Sequence, residues 1–344
     1  MRPVLAASKL QWRGRDMVSL LRAMAIETGL SEAIVQRIMQ SAPARYKHYE
    51  IDKRSGGKRL ISQPAREVKL LQRAFVDLYL SKLPVHSAAM AYRPSKSILD
   101  NATPHADSGS ILKMDFKDFF PSIRKANWMS YCAEFSILEN HYERELAASL
   151  LFQRQKDSSV MQLAIGAPSS PALSNILMFQ FDEIISSEVA KDKVTYTRYA
   201  DDLTFSASRS WNLVEVERIV KRALRDIAYP RLQLHPDKTT HVTKKYSRNV
   251  TGLILANDGR VTIGKRRKRA IHAATHAASQ GRLDDRQLQK LAGMLAFVHS
   301  VEPSFIDVLE RRYGFETIMR LQTVGAKDRR NLRPQINNAG FDQD

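Results

Sequence analysis

Apolar residues Met17, Leu20, Leu21, Met24 and Ala25 recur at helical spacing and stop at Gly29. Ile34, Val35, Ile38 and Met39 repeat that spacing behind Ser31, so the pattern predicts two short helices, the second capped by the serine hydroxyl. Tyr46 to Asp52 alternates with period two, and Ser55-Gly56-Gly57 breaks the run before Lys58-Arg59-Leu60-Ile61. This is the pattern of a β-hairpin with a glycine turn, a basic flap carrying Lys58 and Arg59 on its second strand. A helix follows over Arg66 to Lys82, with Val68, Leu71, Phe75, Leu78 and Tyr79 inward, and Pro94 to Gly109 reads as polar and irregular. Ile111 to Met114 is an apolar strand ending at Asp115, and Val194 to Ser206 is two β-rich runs around Ala200-Asp201-Asp202. Near the C-terminus a short strand, Val261 to Ile263, ends at Gly264 before a helix-forming stretch, and Leu283 to Arg312 holds two more helices, the first with Leu288, Leu291, Leu295 and Val298 on one face. The mixture is α+β.

Composition adds a partner to that picture. The 344 residues carry 54 Lys and Arg against 36 Asp and Glu, a net charge of +18, which calls for a polyanion. A membrane surface would also attract such charge. However, no run of about 18 apolar residues and no signal sequence is present, so a cytoplasmic protein with no membrane partner is expected. The single cysteine, Cys132, excludes an internal disulfide framework and leaves no Cys/His zinc spacing, so a metal here would take oxygen ligands. Between Lys244 and Arg269 stand nine basic residues and one acid, ending in Lys265, Arg266, Arg267, Lys268 and Arg269. A solvated surface is the plain account of such a run. Cations in the first turns of a helix oppose its dipole, though, and an external polyanion would relieve that conflict.

The acids carry the chemistry. Asp115 ends one apolar strand, and 86 residues on Asp201 and Asp202 sit at the tip of the second strand pair. Aspartate is common in turns, so each site alone has an ordinary explanation. Three gathered carboxylates repel unless a cation sits among them, and hard oxygen ligands select magnesium or manganese. A two-ion site of that kind suits phosphoryl transfer in a basic protein. A separate reading takes the N-terminal helix pair as the helix-turn-helix of a nucleic-acid-binding regulator, which predicts duplex DNA binding by residues 1–45 alone.

Tyr199-Ala200-Asp201-Asp202 resembles the signature box of reverse transcriptases, and Asp115-Phe116-Lys117-Asp118-Phe119-Phe120 resembles their first catalytic box. Between them, Gly166-Ala167-Pro168-Ser169-Ser170-Pro171 resembles the segment that braces template and nucleotide. Asn101-Ala102-Thr103-Pro104-His105 and Val250-Thr251-Gly252 are similar to two elements of bacterial retron reverse transcriptases, favouring that group over group II intron or diversity-generating enzymes. The resemblance spans about residues 46–314. It implies a right-hand polymerase fold: N-terminal helices and fingers over 1–110, a palm of antiparallel sheet plus helices over 111–243, a small helical thumb and RNA-binding region over 244–320, and a polar tail over 321–344.

The resemblance also implies roles. Asp115, Asp201 and Asp202 would be the catalytic acids, holding two magnesium ions, or manganese as a substitute, with Phe116 beside them in the metal site. Lys58, Arg59, Gly166 and Ala167 would hold the incoming deoxynucleoside triphosphate. Phe120 would reject a ribose 2′-hydroxyl, or else be an ordinary core phenylalanine. Lys238 would lie near the departing pyrophosphate, or else be a surface lysine. Asn101, His105, Val250, Thr251, Gly252 and Lys265 to Arg269 would bind RNA. One departure stands out: Ala164-Ile165 occupies positions where many relatives have Pro-Gln, so an amide that could hydrogen-bond is replaced by a side chain that can only pack. Enzymes of this kind copy a structured non-coding RNA (msr-msd) into DNA from a guanosine 2′-hydroxyl, giving a branched RNA–DNA hybrid (msDNA), and many serve anti-phage defence with an effector protein. The short stretch after Gly314 holds no ribonuclease H domain, so a host ribonuclease H is expected to remove the template.

Overall fold

A computed structural model describes residues 19–52, 56–138, 140–154 and 158–331, which leaves Met17 and Ser55 of the patterns above outside it. The chain divides into two compact units, residues 1–97 with 108–243, and residues 98–107 with 244–344. Ile98–Asp107 thus belongs with the C-terminal unit, where the resemblance groups it with the fingers.

The first unit begins with α1 (Leu20–Thr28) and α2 (Glu32–Ser41). Gly29 ends α1 at φ 71°, and the Ser31 hydroxyl accepts from Ile34 N–H to start α2. Leu20, Met24, Val35, Ile38 and Met39 are buried among residues of α3 (Arg66–Leu78) and α7 (His141–Leu151), so this helix pair is part of a larger core. Residues 1–45 alone would expose that face to water. β1 (Tyr46–Asp52) and β2 (Lys58–Pro64) form the hairpin, with Asp52 opposite Lys58.

The centre of the unit is a four-stranded antiparallel sheet of β3 (Ser110–Asp115), β6 (Thr195–Tyr199), β7 (Asp202–Ala207) and β8 (Thr240–Thr243), in the order β6-β7-β3-β8. Its inner strands, β3 and β7, are buried along almost their whole length, polar residues included, and the sheet shares one core with α5 (Phe119–Ser122), α6 (Lys125–Phe135), α8 (Ser170–Leu177), α9 (Phe179–Ala190) and α10 (Val216–Asp226). Trp128, Phe116, Phe152, Phe181 and Phe205 fill that core. A minor strand pair, β4 (Gln153–Arg154) with β5 (Met161–Gln162), completes the unit.

In the second unit the stretch expected to be irregular contains a short helix, α4 (Ile98–Ala102), continued by a 3-10 turn over Thr103–His105. Five residues are too few for a helical period to show. Beside it, β9 (Arg248–Val250), β10 (Leu253–Leu255) and β11 (Val261–Thr262) form a three-stranded antiparallel sheet, followed by α11 (Lys265–Ser279), α12 (Asp285–Val301), α13 (Pro303–Tyr313) and α14 (Phe315–Asn331). α14 runs past the expected start of the polar tail at residue 321, because Ile318 and Leu321 are buried and hold it to the bundle. Among the described residues, no helix is long and apolar enough to cross a membrane.

Candidate active site

Strand pairing brings the three acids together. Asp115 ends β3 directly opposite Asp202, which begins β7, and Phe116 N–H donates to the Asp201 carbonyl at 3.1 Å. Ala200 turns the chain at φ 59°, so Asp201 leaves the ladder at the sheet edge. Like charges facing each other across a sheet destabilise it. Burial, then Asp201, then Asp115 push the Asp202 carboxyl up to about 6, while burial and Asp115 raise Asp201. Lys238, on a 3-10 turn over Pro236–Lys238, answers part of that charge: its ammonium lies 2.7 Å from Asp115 Oδ1.

A hard divalent cation fits this donor set in chemistry, since the carboxylates hold charge that neither Lys238 nor Lys113 cancels. Among the described residues no group of three or more such side chains is arranged as a metal site, and Asp115 is paired with Lys238 instead. Phe116 is buried between Phe119 and Phe181, so its backbone carbonyl is what it can offer a metal.

The other expected nucleotide residues lie in the same unit. Arg59 is exposed on β2, and its charge partly opposes the upward shifts that burial gives Asp201 and Tyr92, which places it within Coulombic range of the acids. Lys58 points elsewhere, 2.9 Å from Glu50 Oε2 across the hairpin. Gly166 takes φ 121° under β2, where a Cβ would stand 3.0 Å from the Ser62 carbonyl oxygen, so glycine is required. Next to it Ser62 N–H donates to the Ile165 carbonyl at 2.8 Å. That bond uses the backbone alone, so the loop survives the change from glutamine. Phe120 is half-buried between the rings of Phe119 and Tyr92, at 5.5 and 6.2 Å.

Sequence reasoning missed the network beneath the acids. Arg198 and Asp182 are both fully buried and paired, Nη2 to Oδ2 at 2.6 Å and Nε to Oδ1 at 2.9 Å. Burial works against the Arg198 charge, but the Asp182 carboxylate more than offsets it and leaves the guanidinium above its usual range. Nη1 then donates to the Ala200 carbonyl and to Asn175 Oδ1, both at 3.1 Å. A readable signal existed: an arginine within the β-rich run of β6, one residue before the signature box.

The expected RNA-binding residues all lie in the second unit. Val250 is buried at the end of β9, and Thr251 and Gly252 are the two central residues of the β9–β10 hairpin turn, at φ 47° and 83°. Thr251 Oγ1 donates to the Ile98 carbonyl of α4 at 3.3 Å. Asn101 and His105 are fully buried, with burial lowering the histidine to about 4, so they present no surface for RNA to touch. In α11, Lys265, Arg266 and Arg269 are exposed, whereas Lys268 is bound to Glu302 at 2.5 Å and Arg267 lies 5.2 Å from the Phe297 ring centre.

A sheet edge with three acids, backed by a basic hairpin and a glycine loop, is the arrangement of a nucleotidyl-transferring polymerase. The family model for reverse transcriptase (RNA-dependent DNA polymerase) matches residues 51–255. The Retron Ec83 reverse transcriptase of Escherichia coli is 35% identical over 302 residues, covering 86% of this chain and 97% of that protein. The Retron Ec73 enzyme of the same organism is 31% identical, covering 88% and 96%, and the Retron Mx162 enzyme of Myxococcus xanthus is 32% identical, covering 75% and 58%. The chain belongs to the reverse transcriptase family and, within it, to the retron reverse transcriptases. It is accordingly an RNA-directed DNA polymerase with the polymerase fold of mixed helices and antiparallel sheet, in a family that uses divalent metal ions.

Proposed function

We propose that this enzyme copies part of a structured non-coding RNA (msr-msd) into DNA, starting from a guanosine 2′-hydroxyl of that RNA, so that the product is a branched RNA–DNA hybrid. The observation that carries this reading is the hydrogen bond from Thr251 to the Ile98 carbonyl at the start of α4, the helix that ends in Asn101-Ala102, which brings the two retron-like elements together in one unit beside the cations of α11. In this reading Asn101 and His105 hold α4 beneath the turn, while the turn and the exposed cations meet RNA. Asp115, Asp201 and Asp202, with the Phe116 carbonyl, hold two magnesium ions, or manganese as a substitute. The metal supplies activation of the attacking hydroxyl and stabilisation of the leaving pyrophosphate. Arg59, Lys58, Gly166 and Ala167 hold the nucleotide, and Lys238, freed from Asp115, turns to the pyrophosphate. The fingers, palm and thumb are residues 1–110, 111–243 and 244–320, α4 excepted. The enzyme works in the cytoplasm, in anti-phage defence, with a host ribonuclease H and an effector protein.

Co-expression with the neighbouring non-coding RNA gene tests the reaction. DNA purified with the enzyme should migrate as a branched species and shift on treatment with a 2′,5′-debranching enzyme. DNA with a free 5′ end from the outset would overturn 2′ priming.

In this reading the cations divide by their exposure. Lys265, Arg266 and Arg269 are open to phosphates, and each lost contact should flatten the slope of log affinity against log salt by roughly 0.7 to 0.9. Replacing Lys268 with alanine should instead leave the slope unchanged and loosen α11 from Glu302. RNA titrations at several salt concentrations decide it, and an equal flattening by the Lys268 variant would show that its ion pair opens to RNA.

A further inference from the structure

Tyr92 stands at the active site and none of the motifs uses it. Its backbone sits at φ 62°, a region that bulky residues enter only when their surroundings impose it. The surroundings do so here. Arg198 N–H donates to the Ala88 carbonyl and Met90 N–H donates to the Arg198 carbonyl, both at 2.8 Å, so Ala88–Met90 runs beside β6. Asn175 Nδ2 donates to the Ala91 carbonyl at 2.8 Å, and Arg93 Nη1 donates to the Ala89 carbonyl at 3.1 Å. Arg198 and Asn175 are also the residues that fix the Ala200-Asp201 turn, so Tyr92 and Asp201 are set by one buried framework.

The side chain meets Phe120. Its ring centre is 6.2 Å from that of Phe120, tilted by 31°, and Phe119 packs the Phe120 ring at 5.5 Å. Phe120 therefore has an aromatic neighbour in Tyr92 beyond the one its own helix supplies. Tyr92 itself is 49% exposed, so its far side is open. Burial raises its hydroxyl pKa, Asp201 and Tyr199 raise it further, and Arg59 and Arg198 oppose them, which puts the tyrosine within Coulombic reach of both the acids and the expected triphosphate holder.

The geometry points to Tyr92 as a specificity-determining positioning residue: its ring backs Phe120 and fixes the orientation in which Phe120 excludes a ribose 2′-hydroxyl. A lone phenyl ring at a half-buried position can change rotamer and open space for the hydroxyl. With Tyr92 against it, that movement meets a ring carried on a backbone segment that Asn175 and Arg198 hold in place. Discrimination between deoxy- and ribonucleotides then belongs to the pair, and it rests on the reading of Phe120 as the residue that faces the sugar.

Single-nucleotide incorporation of ribo- and deoxynucleoside triphosphates on one primed template tests this in Tyr92→Ala, Tyr92→Phe, Phe120→Ala and the Tyr92→Ala/Phe120→Ala double variant. Tyr92→Ala should raise the ribo-to-deoxy ratio of kcat/KM by roughly tenfold. Tyr92→Phe keeps the ring and should keep the wild-type ratio. The double variant should be no more permissive than Phe120→Ala, because the two act as one unit. If the alanine variant folds poorly, Tyr92→Leu keeps the apolar volume without the flat face and should raise the ratio as well. A tyrosine that only supports the fold would slow both nucleotides equally. An unchanged ratio in Tyr92→Ala or Tyr92→Leu, with a raised ratio in Phe120→Ala, would overturn the role of Tyr92 alone. An unchanged ratio in Phe120→Ala would overturn the sugar-facing reading and this inference together, and additive effects in the double variant would overturn the coupling.

Discussion

Asp201→Asn and Asp202→Asn should each reduce primer extension by at least about a thousandfold, roughly 4 kcal/mol of transition-state stabilisation, because an amide cannot supply the charge that a divalent ion needs. The same substitutions should make the metal-free protein more stable. Asp202 is pushed up to about 6 by burial and by Asp201 and Asp115, so at neutral pH the folded protein carries repulsion that the unfolded chain lacks. A carboxyl whose pKa is raised by folding contributes stability below its unfolded value, near 4, and loses that contribution as the pH rises through about 6. Asp202→Asn removes the loss. Without metal at pH 7.5 it should gain about 1 to 2 kcal/mol after allowance for solvent screening, and the gain should shrink as the pH falls from 6 to 4. Thermal melts of both proteins across that range, beside primer extension with magnesium, separate the two effects. Full extension by the Asp201 variant would remove it from the catalytic set. A stability gain that ignores pH would show that the carboxylates do not strain one another.

The parts of this site that local sequence could announce are those whose geometry is local. An apolar strand ending in aspartate and a β-rich run broken by Ala200-Asp201 both place a carboxylate at a sheet edge, and β3 and β7 do pair Asp115 with Asp202. The hairpin carrying Arg59 and the basic first turns of α11 were legible for the same reason. Contacts made across the chain were not. Asn175 meets the Ala91 carbonyl from 84 residues away, and Lys268 finds Glu302 from 34 away, with no local pattern to mark either partner. Exposure was also hidden. Asn101 and His105 look like polar residues fit to touch RNA, yet both are buried, because the short helix α4 packs against β10. A motif identifies residue types that matter without saying which way they face.

Breaking the Arg198–Asp182 pair should have the largest effect on stability of any single change outside the apolar core. Both side chains are fully buried, so Asp182→Ala leaves a guanidinium in the protein interior with neutral partners alone, among them the Ala200 carbonyl, Asn175 and Tyr196. Losing one member of such a pair costs about 3 to 5 kcal/mol, which in a protein of this size lowers Tm by about 4 to 7 °C. The double variant Asp182→Leu/Arg198→Met removes both charges with apolar side chains of similar length and should recover most of that loss. It should not recover DNA synthesis. Ala200 holds φ 59° where its carbonyl receives the Arg198 Nη1 hydrogen bond, and methionine offers no donor, so the turn that presents Asp201 loses its fixed geometry. Thermal melts and primer extension at a temperature where all three proteins are folded test the pair of expectations. A double variant that regains synthesis along with stability would show that the network only supports the core. One that regains stability while synthesis stays low would show that a buried ion pair, paid for in desolvation, is kept because it aims a catalytic carboxylate.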